Sequence, residues 1–237
     1  MVRYIRDTTG RFPKRPYYEQ EDLDQECESI IVNFLRSIYH EVRFPIETED
    51  LKKLIERDAD DLDCYADLSG YGMDVTGVTE FYPGQKPVVK IAAALTEDER
   101  RENRLRTTLT HEHGHVHFHA HLFTMNQAQG QLFQAAQTER NICKRNTMLD
   151  APQSDWMEWQ AGYICGALLM PISYTRSLVR DFLAERNHFG PVAFDSLKGT
   201  DLIDRVVEAF RVSPDAARTR LVKLNYIGRE QGKALFE

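Results

Sequence analysis

The stretch His111-Glu112-His113-Gly114-His115 has the form His-Glu-x-x-His, and its reading decides the fold. On an α-helix, His111 and His115 lie one turn apart on the same face, so both imidazoles can reach one ion. Zinc accepts neutral imidazole nitrogen and keeps one position open in catalytic sites. Glu112, next to the first ligand, can reach a water there without binding the metal and take its proton. This pattern reads as a zinc metallopeptidase with Glu112 as general base. The same residues carry an alternative. Positions 111–121 read HEHGHVHFHAH, with six of the chain's eight histidines at every second position. As a strand, that period puts all six on one face, giving a His-rich metal-buffering tract.

Upstream, residues 75–82 and 87–93 are β-rich and flank Pro83-Gly84-Gln85-Lys86, a hairpin signal. Thr96 and Glu99 form a capping-box pattern that starts a helical region, continued through Leu105, Leu109 and the motif to about His119. Strands followed by a helix bearing the motif is the arrangement a zincin requires. A sheet edge beside the metal lets a peptide bind by strand addition, and 87–93 is the expected edge. Downstream, 122–153 is polar and reads as a long loop that covers or borders the site. Ser154 or Asp155 then caps a helix that Pro171 ends. That helix is apolar almost all round, hence buried, yet it carries Glu158 in its first turn. A buried carboxylate needs either a helix N-terminus or a cation. Two zinc-spaced histidines upstream that need a third ligand tip the choice to the cation.

Other histidines compete for that third position. His121 stands six residues after His115, the metzincin spacing, but that pattern turns back through a glycine where this chain has Phe118. His119 lies about 12 Å along the axis from His111 at ~1.5 Å per residue, too far for one ion. His113 and His117 point away from the His111–His115 face and are expected outside the metal's first shell.

The run Arg104-Leu105-Arg106-Thr107-Thr108-Leu109-Thr110 into HEHGH resembles the motif helix of the ImmA/IrrE family of metallopeptidases, and DWMEWQAGYICGALLMP resembles that family's second signature. The resemblance spans roughly residues 28 to 225. It departs from the family pattern at His113, where leucine is usual, at Leu105, where an aromatic is usual, in the extra histidines 117 and 121, and in a long insert between the motifs. It implies a Zn2+ site of His111, His115 and Glu158, with Glu112 catalytic. It also implies a narrow regulatory protein substrate, a helix-turn-helix transcriptional repressor of a mobile element or stress operon.

The rest of the chain frames this core. Residues 1–17 hold five basic side chains against Asp7, with Gly10, Pro13 and Pro16, and read as an extended basic arm wrapping an acidic surface. Residues 19–40 show helical spacing of Leu23, Cys27, Ile30, Ile31, Phe34, Leu35 and Ile38, and 48–57 form a short helix. The acids between 47 and 63 read as a solvated face. Residues 172–186 form another amphipathic helix, and Gly190-Pro191 marks a break. A helix from Thr200 to Phe210 then leads through Ser213 as cap and Pro214 at the first helical position into a helix with Arg218, Arg220 and Lys223. That pair fits helix-turn-helix geometry or a plain helix pair closing the domain, and the latter is the stronger reading. The alternative function is a non-enzymatic zinc-containing regulator that binds a protein or DNA partner through these helices. The net charge of −7 argues against a globally nucleic-acid-binding surface, and no run approaches a membrane span. Scattered cysteines at 27, 64, 143 and 165 suit reduced thiols, and the expected location is the cytoplasm. The expected fold is α+β: an arm (1–17), a helix-rich zincin-like core with a small β-sheet (18–190), and a C-terminal helical subdomain (191–237).

Overall fold

The computed structural model describes residues 3–82, 84–124, 139–144 and 155–228, with 139–144 as backbone only. The chain opens with an antiparallel hairpin, β1 (Arg3–Arg6) and β2 (Lys14–Tyr17). Helix α1 (Gln20–Tyr39) buries Leu23, Cys27, Ile30, Ile31, Phe34 and Leu35 at three- and four-residue spacing, and stops where His40 turns left-handed at φ 60°. Ile38 stays exposed. Helix α2 (Thr48–Asp58) leads into β3 (Asp61–Ala66), then β4 (Val75–Phe81) and β5 (Val88–Ala92). A single turn α3 (Ala93–Thr96) precedes α4 (Glu102–Gly114), which carries the first half of the histidine tract. A wider π-type stretch follows over His115–His119, and helix continues through residues 120–124. After β6 (Glu139–Lys144) come α5 (Trp156–Leu169), α6 (Ile172–Glu185), β7 (Val192–Ala193), α7 (Leu197–Phe210), α8 (Pro214–Lys223) and β8 (Ile227–Gly228). This is a mixed α+β protein.

The main sheet has the order β3-β5-β4-β6, with β5 parallel to β3 and antiparallel to β4, and β6 antiparallel to β4. The strand at 87–93 is therefore interior, not an edge. The dense acids of the preceding stretch hide β3: Asp61 and Asp63 sit in a strand that buries Cys64 and Ala66. Nor are those acids all solvated. Asp50 is buried, accepting from the Tyr39 hydroxyl at 2.8 Å and from Lys53 at 3.0 Å. The other strand of this sheet that was not foreseen, β6, lies within 122–153, the stretch read as a loop; residues 122–124 instead continue the helix, and 125–138 and 145–153 lie outside the described residues.

Two helix starts differ from expectation and a third agrees. Thr96 ends α3 and donates to the Cys64 carbonyl, while Asp98 accepts from the Arg100 amide as the cap. Ser196, accepting from Gly199 N, starts α7 one turn before Thr200. Ser213 accepts from Ala216 N with Pro214 at the first helical position, as the sequence indicates. The arm folds as a hairpin that packs through an apolar contact. It inserts Phe12 among Phe81, Phe123, Trp156 and Met157, and Asp7 accepts from the Trp156 indole at 3.2 Å.

The C-terminal helices share one apolar core with the rest: Leu202, Val206, Phe210, Ala217 and Leu221 join Leu23, Leu54, Leu109 and Ile164. Two buried arginines tie the parts together. Arg106 on α4 donates to the carbonyls of Ile46, Phe210 and Arg211, the last two at the C-terminal end of α7 where partial negative charge collects. Burial and the neighbouring Arg211 push its pKa down to about 10. Arg220 on α8 pairs with Asp24 at 2.6 Å and donates to the Met170 carbonyl. Arg220 is thus inside the protein and unavailable to a DNA backbone. Arg218 lies over the Phe194 ring and Lys223 over the Tyr163 ring. No helix among the described residues is long and apolar enough to cross a membrane.

Candidate metal centre

Helix α4 is buried on every side from Leu105 onward although many of its residues are polar. Thr107 and Thr110 satisfy their hydroxyls by donating to carbonyls four residues back, at 2.8 and 2.9 Å. The helix lies between β4 and α5. Close approach to α5 depends on Gly114, where an added Cβ would stand 3.4 Å from the Ala161 backbone and 3.3 Å from Ile164. Glu158 lies one turn before Ala161 on the same helix, so this small-residue contact brings its carboxylate up to the histidines.

The resulting cluster is tight. His111 Nε2 stands 3.1 Å from Glu158 Oε2, His115 Nε2 stands 3.1 Å from Glu158 Oε1, and the two Nε2 atoms are 3.2 Å apart. Burial pushes the Glu158 carboxyl up, but His115 and His111 outweigh it and hold the group well below the usual carboxylate range. Tetrahedral zinc bonds of ~2.0–2.1 Å would put donor atoms about 3.3–3.4 Å apart. Two imidazole nitrogens and an ionised carboxylate at this spacing fit such an ion.

Glu112 points the other way, toward β4. Its Oε2 accepts from the Thr79 hydroxyl at 2.6 Å, while Oε1 is buried with no hydrogen-bond partner. Burial raises its pKa; His115, His111 and the Thr79 bond act in the opposite sense. The carboxylate fits only because residue 77 is glycine: a Cβ there would stand 2.4 Å from Glu112 Oε1. Thr79 and Gly77 escaped the sequence reading. The glycine inside a β-rich run was the available signal, since such a residue marks close approach of another group.

The remaining histidines separate into distinct environments. His119 stands behind His115, Nδ1 to Nδ1 at 3.1 Å, and its Nε2 lies 3.0 Å from Gln160 Oε1. With His115 Nε2 turned to the cluster, its Nδ1–H donates to His119, whose Nε2–H donates to Gln160. Gln160 in turn donates to the Pro16 carbonyl at 3.3 Å, so the hairpin backs this chain. His119 is buried, and desolvation and His115 lower its pKa well below the usual range, which keeps it neutral. His121 meets the Tyr4 hydroxyl at 3.0 Å and stays outside the cluster. His113 and His117 face Asp58. Tyr163, inside the second motif, donates to Asp24, and Tyr174, just after it, packs on Phe44, so neither joins the cluster.

No family model matches the chain, and no curated protein matches it.

Proposed function

We propose that the chain is a zincin-like zinc metallopeptidase of the ImmA/IrrE type, with His111, His115 and Glu158 as ligands and Glu112 as general base. The observation that carries the reading is that the His111 and His115 Nε2 atoms stand 3.2 Å apart and each 3.1 Å from one Glu158 oxygen, beside a buried, half-unpartnered carboxylate. Zinc held there would polarise a carbonyl oxygen and make a water more acidic. Glu158 and the two imidazoles would hold the ion, and His119 with Gln160 fixes the His115 ring. Glu112 Oε1 takes the proton from the attacking water as its oxygen bonds to the carbonyl carbon, and passes that proton to the departing amine nitrogen. Thr79 keeps Oε2 occupied, leaving Oε1 as the atom that exchanges the proton. Among the described residues the terminal strand next to β4 is β6, so an extended substrate segment would add there. The proposed substrate is a helix-turn-helix transcriptional repressor, and the proposed setting is the cytoplasm.

The test is incubation of the zinc-loaded chain with the repressor encoded beside its gene, followed by mass spectrometry for new termini. Cleavage is expected with the parent and absent with chelator. Glu112→Gln should keep its tightly bound zinc and lose cleavage, because an amide cannot accept the proton. Full cleavage by Glu112→Gln removes the mechanism.

A further inference from the structure

Helix α4 and the π-type stretch after it carry a second histidine pair one turn apart. His113 and His117 lie two residues after His111 and His115 respectively, which turns them to another side of the helix. Asp58, the last residue of α2, meets them there. His117 Nδ1 stands 3.1 Å and His113 Nε2 3.5 Å from Asp58 Oδ2, and the two rings stack 19° from parallel.

His113 supplies the decisive observation. It is 1% exposed, yet neither ring nitrogen has a hydrogen-bond partner; at 3.5 Å the Asp58 oxygen misses hydrogen-bond geometry. A buried imidazole left so is costly unless something else meets its nitrogen. Here its Nε2 faces the Asp58 carboxylate, which the stacked His117 ring also meets. The donor atoms of Asp58, His113 and His117 lie within 4.8 Å of one another, the same limit that the first cluster meets.

The geometry points to a second metal site, formed by Asp58, His113 and His117, that takes a divalent late transition ion such as Zn2+. Two imidazoles and one carboxylate suit late first-row ions over Mg2+ or Ca2+, which prefer oxygen. Burial of His113 closes one side, while His117, with 31% of its side chain exposed, leaves room for water to complete the coordination. Arg57 donates to both Asp58 oxygens at 3.0 and 3.1 Å and competes for the carboxylate. The second ion is therefore bound more weakly than the first, where no arginine or lysine among the described residues shares Glu158. An ion there clips the end of α2 to the helix that carries His111 and His115. The site shares no ligand with the first and does not depend on the peptidase reading.

The experiment is titration of the metal-free full chain with Zn2+ against a chromophoric chelator near neutral pH. The parent is expected to bind two ions, one tight and one weaker. Because loss of an outer-shell partner costs about 10–100-fold in affinity, loss of a ligand costs the upper end or more. His117→Ala and Asp58→Asn should each weaken the second ion about a hundredfold or more and leave the first within about threefold. His117 is partly exposed, so its replacement leaves the core intact. Glu158→Ala should do the reverse, and Co2+ in that variant should give the absorption of the second site alone. One ion per chain in the parent, or a second ion that survives both His117→Ala and Asp58→Asn, overturns the proposal.

Discussion

Replacing Gly77 with alanine tests the seating of Glu112 most directly. The new Cβ would stand 2.4 Å from Glu112 Oε1 and 2.9 Å from both Glu112 Cδ and Thr108 Cγ2, about 1 Å inside van der Waals contact. β4 cannot retreat, because residue 77 is paired with Ile91 of β5 on one side and Cys143 of β6 on the other. The carboxylate must move, and the 2.6 Å bond from Thr79 stretches with it. Overpacking costs about 1–3 kcal/mol and a hydrogen bond to a charged group about 1.5–3, so a total of roughly 2–4 kcal/mol is expected once one strain relieves the other. For a chain of this size that lowers Tm by about 4–16 °C. A carboxylate displaced by ~1 Å should cut cleavage about a hundredfold. Zinc affinity should stay within about threefold of the parent, since the atoms nearest the new methyl belong to Glu112 and Thr108. Thermal melts of Gly77→Ala, Glu112→Ala and the double variant separate the cause. With no carboxylate at 112, the alanine at 77 should cost below about 1 kcal/mol, leaving only the Thr108 methyl to give way. Additive costs in the double variant, or a Gly77→Ala chain with parental stability and cleavage, would refute the argument.

The third ligand gives the sharpest contrast: Glu158→Ala should weaken the tight zinc about a hundredfold or more, while His121→Ala leaves it nearly unchanged, as read by competition with a chelator. The reverse result would remove both the site and the family reading. His119→Ala leaves the His115 Nδ1–H without its acceptor, so zinc affinity should fall about 10–100-fold although His119 touches no ion; an unchanged affinity would show that the ring is held by packing alone. Asp7 provides a pH prediction. Burial raises its pKa, but hydrogen bonds from Thr9, Phe12 and Trp156 more than offset this, so the folded value lies below the ordinary 3.8. The stability it contributes is present above 3.8 and is lost as pH falls through the folded value. Trp156 fluorescence in a Trp159→Phe background should report release of the hairpin in that acid range, and Asp7→Asn should abolish the step. Retention of the same step in Asp7→Asn would assign it to another group.

The sequence by itself determined what rests on short spacing. Three- and four-residue repeats wrote α1, Ser213-Pro214 wrote the start of α8, and His-Glu-x-x-His put two imidazoles on one helical face. Such features need only the local backbone, and a helix converts spacing directly into proximity. The apolar run around Glu158 also marked a buried carboxylate in want of a partner. Tertiary structure decided the rest. β3 was masked by its acids because parallel pairing with β5 joins residues about 27 apart, and only the pairing makes that segment a strand. The same applies to Gly77 beneath Glu112, to the chain from His115 through His119 and Gln160 to Pro16, and to Asp58 between His113 and His117. Each joins elements far apart along the chain. Packing of α4 against α2, β4 and α5 sets those distances, and residue spacing within one element carries no record of them.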